Sequence, residues 1–366
     1  MRFENVRIVT QGPVIANGTL RIEGNRIVGL TPSSGPPSGL TVLPGFIDMH
    51  IHGGGGADTM DATPEALITI AQTHARHGTT RLLATTLTQS REAITAALAA
   101  AAAAPLITGI HLEGPYISAK KPGAQPKEFV RPYDADEFAS WLTAARGKLR
   151  QITLAPEEPG AEALIALCLE KNIIVSLGHT NASAAQTRAA LDAGARQATH
   201  LFNAMNGIHH RNPGPVPVFL TDPRARVEII ADGHHLAPEV IAMTYAAVGP
   251  TRLIAITDAM AGAGAGDGTY GLGGHTVTVV EGKATLSDGT LAGSVLTMNQ
   301  AARNLRAWCG LGWSELALVT ATNAADQLGW HETGRLAEGG IADVVLVDDE
   351  LNVYATYIAG ACVYSQ

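Results

Sequence analysis

Six apolar segments of this 366-residue chain each end near a residue that can bind a metal ion or transfer a proton. Imidazole and carboxylate groups in combination are typical ligands of a borderline divalent cation. A single histidine in such a segment is more often a hydrogen-bonded core residue than a ligand, so the prediction depends on the recurrence. We predict that one metal site and its proton-transfer groups are built from residues far apart in the sequence: His50, His52, Glu113, His179, His200, His235 and Asp258.

The predicted cofactor is one or two divalent metal ions per subunit. Zinc is the first choice, and iron, cobalt, nickel and manganese are the alternatives. Such an ion lowers the pKa of a bound water to about 7, which supplies a nucleophile at neutral pH. Asp258, in the segment "AITDAM", is placed to take the proton from this water and to pass it to a leaving group. Its alternative role is that of a helix N-cap, which aspartate also favours.

The stretch "LPGFIDMHIHGGGGADTMD" places two histidines in one strand and four glycines directly after them. Because side chains alternate along a strand, His50 and His52 point to the same side and can bind one cation together. The glycines at 53–56 lack the G-x-G-x-x-G spacing of a dinucleotide-binding loop. We interpret them as allowing close backbone approach to a ligand the size of a sugar.

The elements that position these residues alternate between strands and helices from residue 42 onward. Eight apolar runs are separated by helical segments, which favours a (β/α)8 TIM barrel over an open sheet. In such a barrel the C-terminal ends of the strands form the active face. Short strands at both ends of the chain predict a small discontinuous β-sandwich domain from 1–43 and 340–366. The barrel is predicted over 44–339, with a β-hairpin insertion near 275–293.

Composition and charge exclude several classes of function. The net charge of −8 with 25 lysine and arginine residues gives no basic patch for nucleic acid. No apolar stretch has the length of a membrane span or a signal peptide, so we expect no membrane partner. The three cysteines, Cys168, Cys309 and Cys362, form no C-x-x-C pair, which favours reduced thiols and a cytoplasmic location.

The loop "FNAMNGIHHRNPGPV" continues directly from a histidine-bearing strand. Arg211 in this loop is suited to a bidentate contact with a phosphate or carboxylate, and His235 can assist it. The alternative is a surface arginine on a turn.

Several motifs, in their order and spacing, resemble N-acetylglucosamine-6-phosphate deacetylases of the amidohydrolase superfamily. "PGFIDMHIH" marks only the superfamily, whereas "HLEGP" followed by "GHT" and "THLFNAM" is specific to this branch. The resemblance runs from about Leu43 to the final strands. It implies hydrolysis of N-acetyl-D-glucosamine 6-phosphate to D-glucosamine 6-phosphate and acetate, with a metal-held hydroxide attacking the amide.

The resemblance also implies roles for single residues. Glu113, His179 and His200 correspond to the ligands of the catalytic metal, and Asp258 corresponds to the acid/base. His50 and His52 imply a second ion, with Glu113 bridging the two. Substrate contacts are implied for Ala124, Gln125, Asn203, Ala204, Arg211, His235, Leu291, Ala292 and Gly293. The protein is then expected to be a homodimer, with the Arg211 loop near the interface.

Three alternatives remain at this stage. The first is a related amidohydrolase acting on N-acetylgalactosamine 6-phosphate or a phosphate-free N-acetyl sugar. A hydantoinase or dihydroorotase is weaker, because these enzymes usually present a barrel lysine, and no lysine lies near the ends of the predicted strands. The third is a non-catalytic barrel that serves as a scaffold.

Overall fold

The computed structural model describes residues 1–366, and its centre is a barrel of eight parallel strands. Neighbouring strands pair in chain order, and the first and eighth close the ring through a parallel bridge between Ile51 and Ala259. The predicted (β/α)8 barrel is confirmed. Its strands are Phe46–Ile51, Thr79–Thr85, Gly109–Glu113, Leu149–Leu154, Ile174–Leu177, Gln197–Ala198, Arg226–Ile230 and Leu253–Ile256.

Eight helices follow the barrel strands in turn. They are Pro64–Ala75, Arg91–Ala103, Ala135–Ala144, Ala161–Glu170, Ala184–Ala193, Pro215–Thr221, Pro238–Val248 and Met298–Cys309. Side-chain oxygens of Thr63, Ser90, Asp134 and Ser183 accept backbone N–H groups at four helix starts, which satisfies donors that have no partner inside the helix. Further helical segments are the α-helices Trp313–Ala317 and Asn323–Gln327, the π-helix Leu318–Thr322, and the 3₁₀ turns Thr59–Asp61 and Lys127–Phe129.

Both ends of the chain contribute to one seven-stranded sheet beside the barrel. Its strands are Arg2–Ile8, Ile15–Glu23, Arg26–Pro32, Thr41–Pro44, Val344–Val347, Val353–Ile358 and Ala361–Ser365. Val344 pairs with Pro44 and Leu346 with Val42, so the last strands join the first ones directly. The predicted β-domain built from both termini is thereby confirmed.

A three-stranded antiparallel sheet follows the eighth barrel strand. Its strands are Gly268–Leu272, His275–Val280 and Lys283–Thr285, so the first strand precedes the predicted hairpin near 275–293. A smaller pair, Gly53–Gly54 with Ala57–Asp58, follows the first barrel strand. None of the helices is both long and apolar enough to span a bilayer.

Candidate active site

Six of the predicted side chains meet at the C-terminal mouth of the barrel, in two groups of three. Glu113 is the last residue of the third strand, and His50 lies near the end of the first. His179, His200 and Asp258 each stand two residues beyond the last residue of their strands. Because parallel strands all end at the same rim of a barrel, residues 208 positions apart in the chain come into contact here.

The first group consists of Glu113, His179 and His200, all buried. The Nε2 atoms of the two histidines lie 3.1 Å apart, and each lies 3.2–3.3 Å from Oε1 of Glu113. Ligand atoms bonded at about 2.1 Å to a tetrahedral ion lie roughly 3.4 Å from one another. The spacing of these three atoms therefore fits a single cation.

The second group consists of His50, His52 and Asp258. The two Nε2 atoms are 3.3 Å apart, and Oδ1 of Asp258 lies 3.4 Å from the first and 3.2 Å from the second. Glu113 contacts this group as well, with Oε2 at 3.2 Å from Nε2 of His52. Glu113 thus contacts histidines of both groups.

The backbone is unusual at three of these residues. The φ angles of His179, His200 and Asp258 are 45°, 29° and 51°, which lie in the left-handed region that side-chain-bearing residues rarely adopt. Each such residue costs about 1–3 kcal/mol and persists where the surrounding structure holds it. Backbone strain of this kind clusters at functional sites.

Hydrogen bonds orient two of the ligand candidates. The carbonyl oxygen of Lys121 lies 3.1 Å from Nδ1 of His179, so this nitrogen carries the hydrogen and Nε2 keeps its lone pair. The side chain of Gln125 donates from Nε2 to Oε2 of Glu113 at 2.6 Å, and its Oε1 accepts the backbone N–H of Thr88 at 2.7 Å. The amide of Gln125 thus faces the carboxylate at the centre of the site.

The electrostatic environment favours positive charge at the mouth. Burial by itself lowers the pKa of His52, but hydrogen bonds with Asp258 and Glu113 raise it to about 9. The pKa of His50 is also raised, because the charges of Glu113 and Asp258 outweigh its burial. Conversely, burial raises the pKa of Asp258, but the neighbouring histidines bring it below the ordinary value. The negative potential of Glu113 and Asp258, which raises the pKa values of the two histidines, also attracts a metal ion.

A cavity of about 210 Å³ opens above these groups. Seven of the nine predicted substrate contacts line it: Ala124, Gln125, Asn203, Ala204, His235, Leu291 and Gly293. Ala292 lies between two of them in the chain but is itself fully buried. His52, Glu113, His179, His200 and Asp258 also line the cavity, so the ligand candidates face the same space as the substrate candidates.

His235 is held by a partner that is not among the residues predicted from the sequence. Its Nδ1 lies 2.7 Å from Oδ2 of Asp232, three residues earlier in the segment "ADGHH". Burial lowers the pKa of His235, but the hydrogen bond and charge of Asp232 raise it more strongly. The imidazole is therefore disposed to be a cation, which suits an anionic ligand.

Arg211 lies outside the cavity of its own chain. It is exposed, and its Nη1 contacts Nε2 of His210 at 2.7 Å. Its loop follows the sixth strand as predicted, but it does not bring the guanidinium to the cavity that His235 lines.

A buried polar layer lies beneath the mouth, and most of it is absent from the predicted site. Glu228 lies there with Gln151 and Gln197, all fully buried. The only signal in the sequence is a polar residue inside an otherwise apolar strand, as in "RVEII". Asp48 belongs to the same region, and burial raises its pKa to about 7 although Thr257 donates hydrogen bonds to it.

Comparisons with known proteins agree with this geometry. Residues 41–363 match the family model described as Amidohydrolase family. N-acetylglucosamine-6-phosphate deacetylase of Bacillus subtilis (strain 168) is 42% identical over 98% of this chain and 96% of its own length. N-acetylgalactosamine-6-phosphate deacetylase of Escherichia coli O157:H7 is 36% identical over 97% of both chains. A mutant N-acetyl-D-glucosamine-6-phosphate deacetylase from Mycobacterium smegmatis, solved with N-acetyl-D-glucosamine-6-phosphate, superposes with a TM-score of 0.95 at 38% identity, covering 100% of this chain and 99% of that one.

Proposed function

Since the chain belongs to the amidohydrolase family, we propose that it is a metal-dependent deacetylase that converts N-acetyl-D-glucosamine 6-phosphate to D-glucosamine 6-phosphate and acetate. The single observation that carries the proposal is the meeting of Glu113, His179 and His200 with Asp258 in one cavity. The relatives described above, at up to 42% identity, are named as deacetylases of N-acetyl amino sugar 6-phosphates. A linear amide is therefore the bond to be cleaved.

Glu113, His179 and His200 would hold the catalytic metal, and His50, His52 and Asp258 would surround a second one. We propose zinc, because two imidazoles and one carboxylate are a common ligand set for catalytic zinc. When bound, such an ion supplies Lewis acidity that activates water and polarises the amide carbonyl. Gln125, through its hydrogen bond to Oε2, keeps the Glu113 carboxylate oriented for this role.

Asp258 would be the acid/base. Its carboxylate is buried at the cavity wall, and its lowered pKa keeps it ionised, which is the form that a general base needs before proton transfer. It can then deliver that proton to the departing amine nitrogen.

The 6-phosphate would be bound by His235 and by an arginine. His235 lines the cavity and is disposed to be cationic through Asp232. Binding a group remote from the amide orients the reacting carbonyl and contributes to catalysis. Ala124, Asn203, Ala204, Leu291 and Gly293, which line the cavity, would contact the sugar.

We further propose a homodimer in which Arg211 reaches the cavity of the partner subunit. The residue is exposed and lies outside the cavity of its own chain. Ile208 in the same loop is 54% exposed, and such an apolar side chain suits an interface between subunits. A cytoplasmic location is proposed as well, since the three cysteines are unpaired.

An acetate-release assay tests the function. Protein stripped of metal and reconstituted with zinc would be given N-acetylglucosamine and N-acetylgalactosamine, each with and without the 6-phosphate. We expect the highest kcat/KM with N-acetylglucosamine 6-phosphate and little turnover of both phosphate-free sugars. A preference for N-acetylgalactosamine 6-phosphate would transfer the proposal to that sugar, in line with the 36% identical relative. No acetate from any of the four would refute it.

A further inference from the structure

Glu228 lies in the middle of the seventh barrel strand and is fully buried one layer below the mouth. No lysine or arginine forms an ion pair with it; its one ion-pair partner is His50. A carboxylate in the centre of a protein is unfavourable unless it is hydrogen-bonded and its charge is compensated. The groups that hydrogen-bond to Glu228 and compensate its charge therefore indicate its role.

Two amide side chains bind one oxygen of this carboxylate. Oε1 accepts from Nε2 of Gln151 at 2.8 Å and from Nε2 of Gln197 at 2.5 Å. Nε2 of Gln197 also donates to Oε1 of Gln151 at 3.0 Å. This contact fixes the orientation of both amides, because exchanging N and O in either would place two like atoms together. Both glutamines thus present N–H groups to Glu228.

The other oxygen faces the mouth. Oε2 accepts the backbone N–H of His200 at 3.3 Å and lies 3.4 Å from Nδ1 of His50. The other three partners of this carboxylate, the two glutamine amides and the His200 backbone, are all N–H donors. The two ring nitrogens of His50 thus have separate surroundings: Nδ1 faces Glu228, and Nε2 faces the group formed with His52 and Asp258.

We propose that Glu228 is a positioning residue for the second cation position, the one surrounded by His50, His52 and Asp258. This inference rests on the proposed metal dependence of the site. Glu228 fixes the tautomer and the ring orientation of His50, and it adds a negative charge behind that ligand. A carboxylate behind a metal-binding histidine typically changes metal affinity about 10–100-fold. The polar layer below the mouth then contributes to the metal affinity of this second position.

The two cation positions do not depend equally on this carboxylate. His179 is oriented by the Lys121 carbonyl and not by Glu228. Glu228 touches His200 only at its backbone N–H. Loss of the Glu228 carboxylate therefore acts on the position that contains His50 and largely spares the one that contains His179.

The test is zinc binding to the 366-residue protein, measured by metal analysis and by competition with a chromophoric chelator. We expect two zinc ions per subunit in the unaltered protein. Glu228→Gln should lower the affinity for one of them about 10–100-fold and leave the other within about 3-fold. Glu228→Asp, which keeps the charge but withdraws it from His50 by about one bond length of 1.5 Å, should give a smaller loss. It also serves as the readout if the Gln variant does not fold.

A double-mutant cycle separates positioning from a general structural effect. In a His50→Ala background, adding Glu228→Gln should change zinc affinity less than 3-fold, because its target is already absent. An equal loss of affinity with and without His50 would overturn the inference, as would wild-type binding of both ions in Glu228→Gln. The inference is also overturned if the unaltered protein binds only one zinc ion per subunit and still releases acetate. That outcome is distinct from failure of the deacetylase proposal, in which no acetate forms.

Discussion

Replacing Asp258 with asparagine removes the proposed proton carrier and preserves its shape. Asn is isosteric with Asp and tolerates the left-handed φ of 51° at this position. The backbone anchors also remain, since the N–H of residue 258 donates to the His50 carbonyl and its own carbonyl accepts from Ser294. The variant is therefore expected to fold with the cavity unchanged.

The expected loss of kcat follows from the proposed role of the Asp258 carboxylate in proton transfer. General acid–base catalysis contributes about 10²–10⁴-fold to the rate, which corresponds to about 3–5 kcal/mol in the barrier. We expect Asp258→Asn to lower kcat by this factor. KM should stay within about 3-fold, because the phosphate contacts proposed for His235 and Arg211 do not involve residue 258.

The assay is steady-state acetate release with zinc content measured on the same sample. Asp258 also belongs to the second group of ligand candidates, so the ion near Glu113 must be shown to remain. Asp192→Asn, at an exposed helix position paired with Arg224, is the matched control and should retain full activity. Near-normal kcat in Asp258→Asn with metal retained would refute the role of this carboxylate.

Three further predictions concern substrate anchoring and stability. Arg211→Ala should raise the KM for N-acetylglucosamine 6-phosphate about 10–100-fold. If Arg211 acts across the interface, mixed dimers of Arg211→Ala with Asp258→Asn should regain one working site in two, and a mixture no more active than its parent variants would contradict this. Because Asp232 raises the pKa of His235, the imidazolium of His235 is present at low pH and is lost as pH rises through that pKa, and KM should then rise. Asp232→Asn should shift this rise in KM to lower pH, and KM–pH profiles that superimpose for the two proteins would refute the pairing. Trp141 is fully buried, so Trp141→Ala should reduce the free energy of unfolding, measured by urea titration, by about 3–5 kcal/mol. A loss under 1 kcal/mol would show that the surrounding core repacks.

The rim of the barrel could be predicted because two simple regularities combine there. Alternation along a strand puts His50 and His52 on one side, and parallel strands end at a common edge. Glu113, His179, His200 and Asp258 were therefore expected to meet, and the structure places their donor atoms within a few ångströms. No knowledge of strand register was needed for this, only the order of strands and helices.

The layer below the rim could not be predicted in the same way. Gln151, Gln197 and Glu228 are separated by at least 31 residues, and their contacts depend on the register between strands. An isolated polar residue in an apolar strand gives no indication of its partner. The strand Gly268–Leu272 was missed for another reason: its glycines have low strand propensity, and only pairing with His275–Val280 defines it.

The position of Arg211 depends on a subunit arrangement, which a single chain does not specify. Its loop was predicted to lie near a subunit interface, and in one subunit the guanidinium lies outside the cavity. The mixed-dimer experiment above tests this point directly.

Anomalous diffraction from crystals of the zinc-loaded, acetate-releasing protein tests the central claim most directly. We predict one zinc peak within bonding distance of Glu113, His179 and His200, at the C-terminal mouth of the barrel. A second peak is predicted beside His50 and His52. Active crystals with no anomalous peak at this mouth would contradict the account.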